Sequence, residues 1–230
     1  MIPAIRLRQI AFIGWTLVAQ QERELVSLPS PQRVGRMSLE AALAARRSVR
    51  EFSSEPLTLT EVSQLLWAAQ GLNRGDGGRT TPSAGALYPL ELYVVVGNVE
   101  RLAAGAYRYE PYGHRIARLA AGDRRAALSD AALRQEWMRD AAVILVLAAL
   151  YERTTVKYGD RGRRYVHMEV GHAAQNIYLQ AAALELGTTF VGAFQDDRVT
   201  AVLGLPNAQR PLGLMPVGRP HRHPRRGSRG

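Results

Sequence analysis

The chain is predicted to fold as an α+β domain, and three observations carry that expectation. Residues 141–150, AAVILVLAAL, are uniformly apolar and bounded by charges, as a central strand buried on both faces would be. Residues 165–187 are rich in alanine and close at Gly187, which suits one long helix with a left-handed glycine at its end. Helical and strand patterns alternate irregularly, with hairpin-like strand pairs mixed in and no internal repeat. That order fits α+β better than a doubly wound α/β sheet.

The 230 residues are 47% hydrophobic, enough for one domain with arms at its ends. Residues 1–37 read as an arm and linker, 38–218 as the domain, and 219–230 as a basic tail. In the arm, residues 10–19 are apolar but too short to span a bilayer. Two readings stand: an N-terminal helix packed on the body or on a partner subunit, or the apolar part of a signal peptide with a poor cleavage site. The chain is accordingly expected to be cytoplasmic, or exported if residues 1–19 act as a signal. Residues 28–36, with two prolines and a glycine, form the linker.

Ser38 caps a first helix, without the full capping box because Ala41 stands near the third helical position. The helix runs into Arg46, Arg47, Ser48 and Arg50. Three guanidinium groups and a hydroxyl in five residues suit a phosphate, or equally a solvated helix end. Residues 57–60 lead into a second helix over 61–71, with Val62, Leu65, Leu66 and Ala69 on one face. The glycine-rich residues 72–81 lack the lysine and spacing of a P-loop and read as a flexible loop. Pro82, Ser83, Ala84, Leu87 and their neighbours to Pro89 make a rigid turn, either a close approach for a flat ligand or a plain tight loop. Strands follow at 91–97, 106–109 and 115–119, turning at residues 111–113. Residues 123–133 read as a helix. After the long helix come a strand at 188–194, a short helix capped by Asp196 and Asp197, and a last strand at 212–217.

The net charge is +10, carried by twenty-nine arginines and a single lysine, Lys157. The arginines concentrate at the chain ends and at residues 46–50 without interleaved aromatics, which argues against a nucleic-acid face. An anionic partner held by the basic ends would be a separate, non-enzymatic reading. Cysteine is absent, so thiolate catalysis and disulfides are excluded. Arginine cannot give up its proton in a protein, whereas lysine can. Lys157 beside Tyr158, in a polar loop at 157–164, therefore either serves proton transfer or is a chance survivor of biased arginine usage. Glu169 and His172, on one helix face, could pass for metal ligands or for a packed, hydrogen-bonded pair.

The motif Arg-Arg-Ser-x-Arg-x-Phe at 46–52, PSAGALYPLE at 82–91, KYGDRGRRY at 157–165, MEVGHAAQN at 168–176 and VGAF at 191–194 together resemble the nitroreductase superfamily. They are most similar to its SagB-type dehydrogenases, which include thiazoline and oxazoline oxidases. The resemblance covers about residues 38–218. It implies a mixed or antiparallel sheet flanked by helices, FMN as cofactor, and an intertwined homodimer with a flavin at each of two interface sites.

By that resemblance Arg46, Arg47, Ser48 and Arg50 hold the FMN phosphate and ribityl chain. Pro82, Ser83, Ala84 and Leu87 come from the second subunit to the isoalloxazine. Many relatives have asparagine where Ala86 stands. Val191, Gly192 and Ala193 present backbone amides to the flavin N5 edge, with alanine at 193 where a second glycine is commoner. Gln135 would meet the pyrimidine edge, and Arg225 or Arg226 would close the phosphate site. Lys157 and Tyr158 match the Lys-Tyr pair of the azoline oxidases. Lys157 would take the substrate proton, its pKa lowered by burial and by Arg161, Arg163 and Arg164. The implied reaction is two-electron oxidation of a small or peptide-borne heterocycle. The alternative is NAD(P)H-dependent reduction of nitro compounds, quinones or flavins.

Overall fold

A computed structural model describes residues 24–221 of the chain. The apolar run at 10–19 and the tail arginines Arg225 and Arg226 lie outside them.

The uniformly apolar run forms strand β5, Val143–Ala149, and every residue of it is buried. It is flanked by β2, Leu90–Val96, and β7, Arg210–Gly218. The hairpin of β3, Gly105–Glu110, and β4, Arg115–Ala121, continues the sheet beyond β2. The edges are β1, Leu25–Ser27, and β6, Gly187–Thr188, giving the order β1-β4-β3-β2-β5-β7-β6. All neighbours run antiparallel.

Side chains alternate across each strand, so the sheet has two apolar faces. Leu92, Val94, Leu145, Leu147 and Met215 point to one, where α2, Leu59–Gln70, and α5, Arg161–Ala183, cover them. Tyr93, Val95, Ile144, Val146 and Leu214 point to the other, beneath α3, Arg125–Ala131, and α6, Asp196–Leu203. The expected α+β class, with a sheet flanked by helices, is what the chain adopts. Helix α1, Leu39–Ala45, begins at Ser38, whose hydroxyl accepts the Ala41 N–H. Thr58 and Glu61 close a complete capping box on α2.

Several boundaries depart from the sequence expectation. Residues 152–158 form a helix of their own, α4, Glu152–Tyr158, and α5 already begins at Arg161. The expected polar loop is therefore a sharp corner between two helices. Helix α5 stops at Ala183, and Glu185, not Gly187, takes the left-handed conformation, with φ 57°. The expected strand at 188–194 shrinks to β6 and a single bridge between Val191 and Leu214. The α6 N-cap is Gln195, which leaves Asp196 and Asp197 in the first turn, where their charge favours the helix dipole.

Gly187 serves a close approach. A Cβ there would stand 2.6 Å from Cγ1 of Val49. Gly187→Ala should therefore destabilise the protein by about 1–3 kcal/mol through overpacking, read as a lower urea midpoint at unchanged slope. An unaltered midpoint would show that residues 48–49 can move away freely.

Candidate functional site

Beyond α1 the chain runs extended past β6. Ser48 bridges parallel to Thr188, and Val49 donates its N–H to the Thr188 carbonyl at 3.0 Å. This pins the basic cluster against α5. The Arg46 guanidinium lies 5.3 Å from the ring centroid of Tyr178, and that of Arg50 lies 5.8 Å from the ring centroid of Trp137. The Ser48 hydroxyl is 3.4 Å from the Tyr178 hydroxyl, which also accepts the Phe190 N–H at 2.6 Å. Burial works against a Tyr178 phenolate. Hydrogen bonds with Ser48 and Thr189 and from the Phe190 N–H, together with the Arg46 charge, outweigh it and hold its pKa below the usual tyrosine value. Among the described residues, none of Arg46, Arg47 and Arg50 meets a carboxylate.

The turn at 191–193 stands on the same side. Val191 spends its N–H on the Leu214 carbonyl at 2.8 Å. The expected donor is thus withdrawn at that residue, while Gly192 and Ala193 are exposed. Gln135 donates its side-chain amide to the carbonyls of Ala132, at 3.1 Å, and Ala193, at 3.3 Å. Gln135 therefore braces this turn. Arg225 lies outside the described residues, and the chain up to His221 runs beside the cluster. Ser53 donates to the Arg219 carbonyl, and His221 to that of Glu51. Arg219 itself is committed to Glu61 at 3.0 Å.

A second cluster gathers around residues 82–89. Asn176 on α5 donates to Ala68 and Thr81, and Thr81 donates to the Ala69 carbonyl, fixing where the loop begins. Arg153 on α4 donates to the Tyr88 carbonyl at 2.9 Å and pairs with Glu91 at 2.6 Å, fixing where it ends. Lys157 lies four residues further along α4, on the same helix face. Gly85 has φ +62°, and a Cβ on it would lie 2.8 Å from the Tyr158 hydroxyl and 3.0 Å from Lys157 Nζ. The Lys-Tyr pair thus closes over the loop's glycine. Leu87 and Ser83 are half-buried beside it, and Pro82 is exposed.

The burial expected of Lys157 is not supplied by this chain, in which it is exposed. The expected neighbours Arg161 and Arg163 lie over the rings of Tyr165 and Tyr151. The pairing of Glu169 with His172 is also not found. Glu169 is buried near Ser83 and Arg79, with its Oε1 left without a hydrogen-bond partner, whereas His172 is exposed. Burial pushes the Glu169 carboxyl up to about 7, against the Ser83 hydrogen bond and the Arg79 charge. Sequence reasoning missed Tyr178, Trp137 and the loop-facing role of Glu169. Their one sequence signal is that Glu169 and Tyr178 share the long helix.

That helix also sets the distance between the clusters. Glu169 touches one and Tyr178 the other, and both lie on α5. Nine residues of helix separate them by roughly 13–14 Å along the axis.

Residues 43–219 match the Nitroreductase family. The chain belongs to that family. Over 194 residues it is 50% identical to a protein of Methanocaldococcus jannaschii named as a nitroreductase, covering 84% of this chain and 96% of that one. A solved structure of a nitroreductase-named protein from Ralstonia eutropha superposes with a TM-score of 0.75 at 30% identity, covering 90% of this chain and 93% of that one. The trifolitoxin-processing protein TfxB of Rhizobium leguminosarum bv. trifolii is 29% identical over 132 residues, 55% of this chain and 35% of TfxB. The chain is thus a nitroreductase-family oxidoreductase with the family's antiparallel sheet between helices.

The Glu169 carboxyl lies above its ordinary value in the folded state, so the folded protein holds a proton that the unfolded chain releases. Stability should fall as pH rises from about 4.5 to about 7, the two ends of that shift. Glu169→Gln should therefore gain on the parent protein as pH increases, by a few kcal/mol at pH 8 relative to pH 4.5. Parallel stability–pH curves for the two proteins would refute this.

Proposed function

We propose that two copies of this nitroreductase-family chain hold two FMN molecules, and that the enzyme oxidises an azoline-type heterocycle, free or borne on a peptide, by two electrons. The residues fit the cofactor. Arg46, Arg47 and Arg50 offer guanidinium charge that no carboxylate among the described residues neutralises, as a bound phosphate would require. Gly192 and Ala193 stand exposed beside Gln135, where a planar ring with polar edges would meet them. In the proposed dimer, Pro82, Ser83, Ala84 and Leu87 of the second copy complete the ring site. When bound, FMN supplies an acceptor for the substrate's hydride and hands the electrons on to oxygen.

One observation carries the choice of reaction: the chain's single lysine and its neighbour Tyr158 converge on Gly85 in the loop assigned to the flavin. Dehydrogenation of an azoline removes a hydride from one carbon and a proton from its neighbour. Lys157 Nζ takes that proton, and the Tyr158 hydroxyl orients the ring or relays the proton. The likeness to a toxin-processing protein of Rhizobium supports a peptide-borne substrate. The nitroreductase name of the archaeal relative favours a second reading, NAD(P)H-dependent reduction of nitro compounds or quinones.

The purified protein should be yellow, with roughly one FMN per chain. Lys157→Ala should keep the flavin but lose about 10²–10⁴-fold in turnover of a thiazoline- or oxazoline-bearing peptide. Undiminished azoline turnover in that variant would remove the assignment, and rapid bleaching of the parent protein by NADPH alone would favour the reductase.

A further inference from the structure

Behind the loop at 86–88, between the β3–β4 turn and α4, lies a solvent-connected cavity of about 550 Å³. Four arginines line it: Arg79, Arg108, Arg115 and Arg153, with two glutamates, Glu91 and Glu110. Both glutamates are committed. Glu110 pairs with Arg108 at 2.7 Å and with Arg115 at 2.8 Å, and Glu91 pairs with Arg153 at 2.6 Å. Among the described residues Arg79 has no carboxylate in salt-bridge contact. Its Nη1 donates to the Gln70 side-chain carbonyl at 2.8 Å, and its guanidinium lies 4.7 Å from the centroid of the Tyr88 ring.

The unmatched atoms of this lining are all donors. The Gln70 side chain is only 2% exposed, yet its Nε2 has no hydrogen-bond partner. The Nε atoms of Arg79 and Arg108 are likewise buried and unpaired. Each buried donor without an acceptor is costly, and three around one cavity share one remedy: a ligand that brings acceptors and negative charge. Burial lowers the Arg79 pKa from the usual arginine value in spite of the Glu91 charge, so an anion beside it would restore what desolvation takes. Glu169 does not answer that charge fully, because its own burial keeps much of it protonated near neutral pH.

We propose that this cavity is a carboxylate-binding site, in which Arg79, supported by Gln70, grips the acidic group of a small acid or of a peptide, with the ligand's body lying along Tyr88 and Leu87. A carboxylate suits the geometry because its two oxygens can meet a guanidinium edge side by side. Ala86 and Leu87 belong to both this cavity and the loop beside Lys157. The inference therefore deepens the reading above by giving its substrate a carboxylate near the reacting ring.

The test is calorimetric titration of the full-length protein with hippurate, with its neutral analogue hippuramide, and with phenyl phosphate. Hippurate should bind and hippuramide should not. Arg79→Gln should weaken hippurate about tenfold to a hundredfold. Arg79→Lys, which keeps the charge but loses the fork, should fall between the two, and thermal melts would confirm that both variants fold. Hippurate affinity unchanged in Arg79→Gln would place the anion elsewhere, at Arg46–Arg50 for instance, and overturn the assignment. So would phenyl phosphate binding in place of hippurate, or no binding of hippurate at all. Heat of binding is measurable with or without flavin. A colourless protein would therefore sink the redox reading while leaving this site to be judged on its own titration.

Discussion

The packing of α5 against the sheet is the constraint on which the rest depends. Val166, Val170, Ala173, Ala174, Ile177 and Ala181 form its buried stripe, and the small side chains among them let α2 and the strands come close. A helix packed this densely cannot slide or roll by a fraction of a turn without opening voids, and protein interiors tolerate those poorly. Its polar side chains therefore stand at fixed stations. Tyr178 meets the basic cluster at one, Asn176 holds the root of the 82–89 loop at another, and Glu169 lies under that loop at a third. The separation of the two clusters is a length of rigid helix, which makes it a property of the fold and not of loop conformation.

In a chain with twenty-nine arginines, charge count says little, and the pairing of each charge says more. Most surface ion pairs contribute under about 1 kcal/mol. The bridge between Arg139 and Asp130, with both side chains more than 40% exposed, is of that kind. Arg219 and Arg153 do structural work, joining Glu61 to the last strand and α4 to the loop end. Among the described residues, certain other arginines lie over aromatic rings and form no ion pair with a carboxylate. Arg46 and Arg50 lie over Tyr178 and Trp137, and Arg79 lies over Tyr88. A ring orients a guanidinium without neutralising it, so these positions keep both geometry and charge available for a ligand.

The parts of the fold legible in the sequence were those whose burial is one-sided or complete. Strand β5 is apolar throughout because both its faces are covered, and α2 shows its apolar face because the residues buried on its other sides, Ser63, Gln64 and Gln70, are polar. Strand β1 was not legible: three residues, with Leu25 51% exposed, leave no alternation to read. Helix α4 was hidden for a similar reason. Thr154 is its one buried residue, so no apolar stripe marks ERTTVKY as helical. The glycine rule misplaced the end of α5, because Gly187 answers a steric demand from Val49 and not a backbone one. In the candidate site, Lys157 stood out by being unique. Glu169 could not be assigned its partners, since Ser83 and Arg79 approach it from distant segments that no local spacing reveals.

The exposure of Lys157 bears on the proposed dimer. A lysine that serves as a base needs to shed its proton readily, and removal from water is the usual means. Within one chain Lys157 is open to solvent, but so are large apolar neighbours. Val156 is 88% exposed and Met168, beside Glu169, is 47% exposed. On α1, next to the basic cluster, Leu39 and Leu43 are 59% and 51% exposed. Each cluster therefore carries its own uncovered apolar residues, and a self-complementary interface that buried both sets would bring the basic cluster of one copy to the loop of the other. The surface that covers Val156 would then also cover its neighbour Lys157. On this reading one burial event would both stabilise the dimer and prepare the lysine for proton transfer, which gives the pairing of subunits a chemical role as well as a structural one.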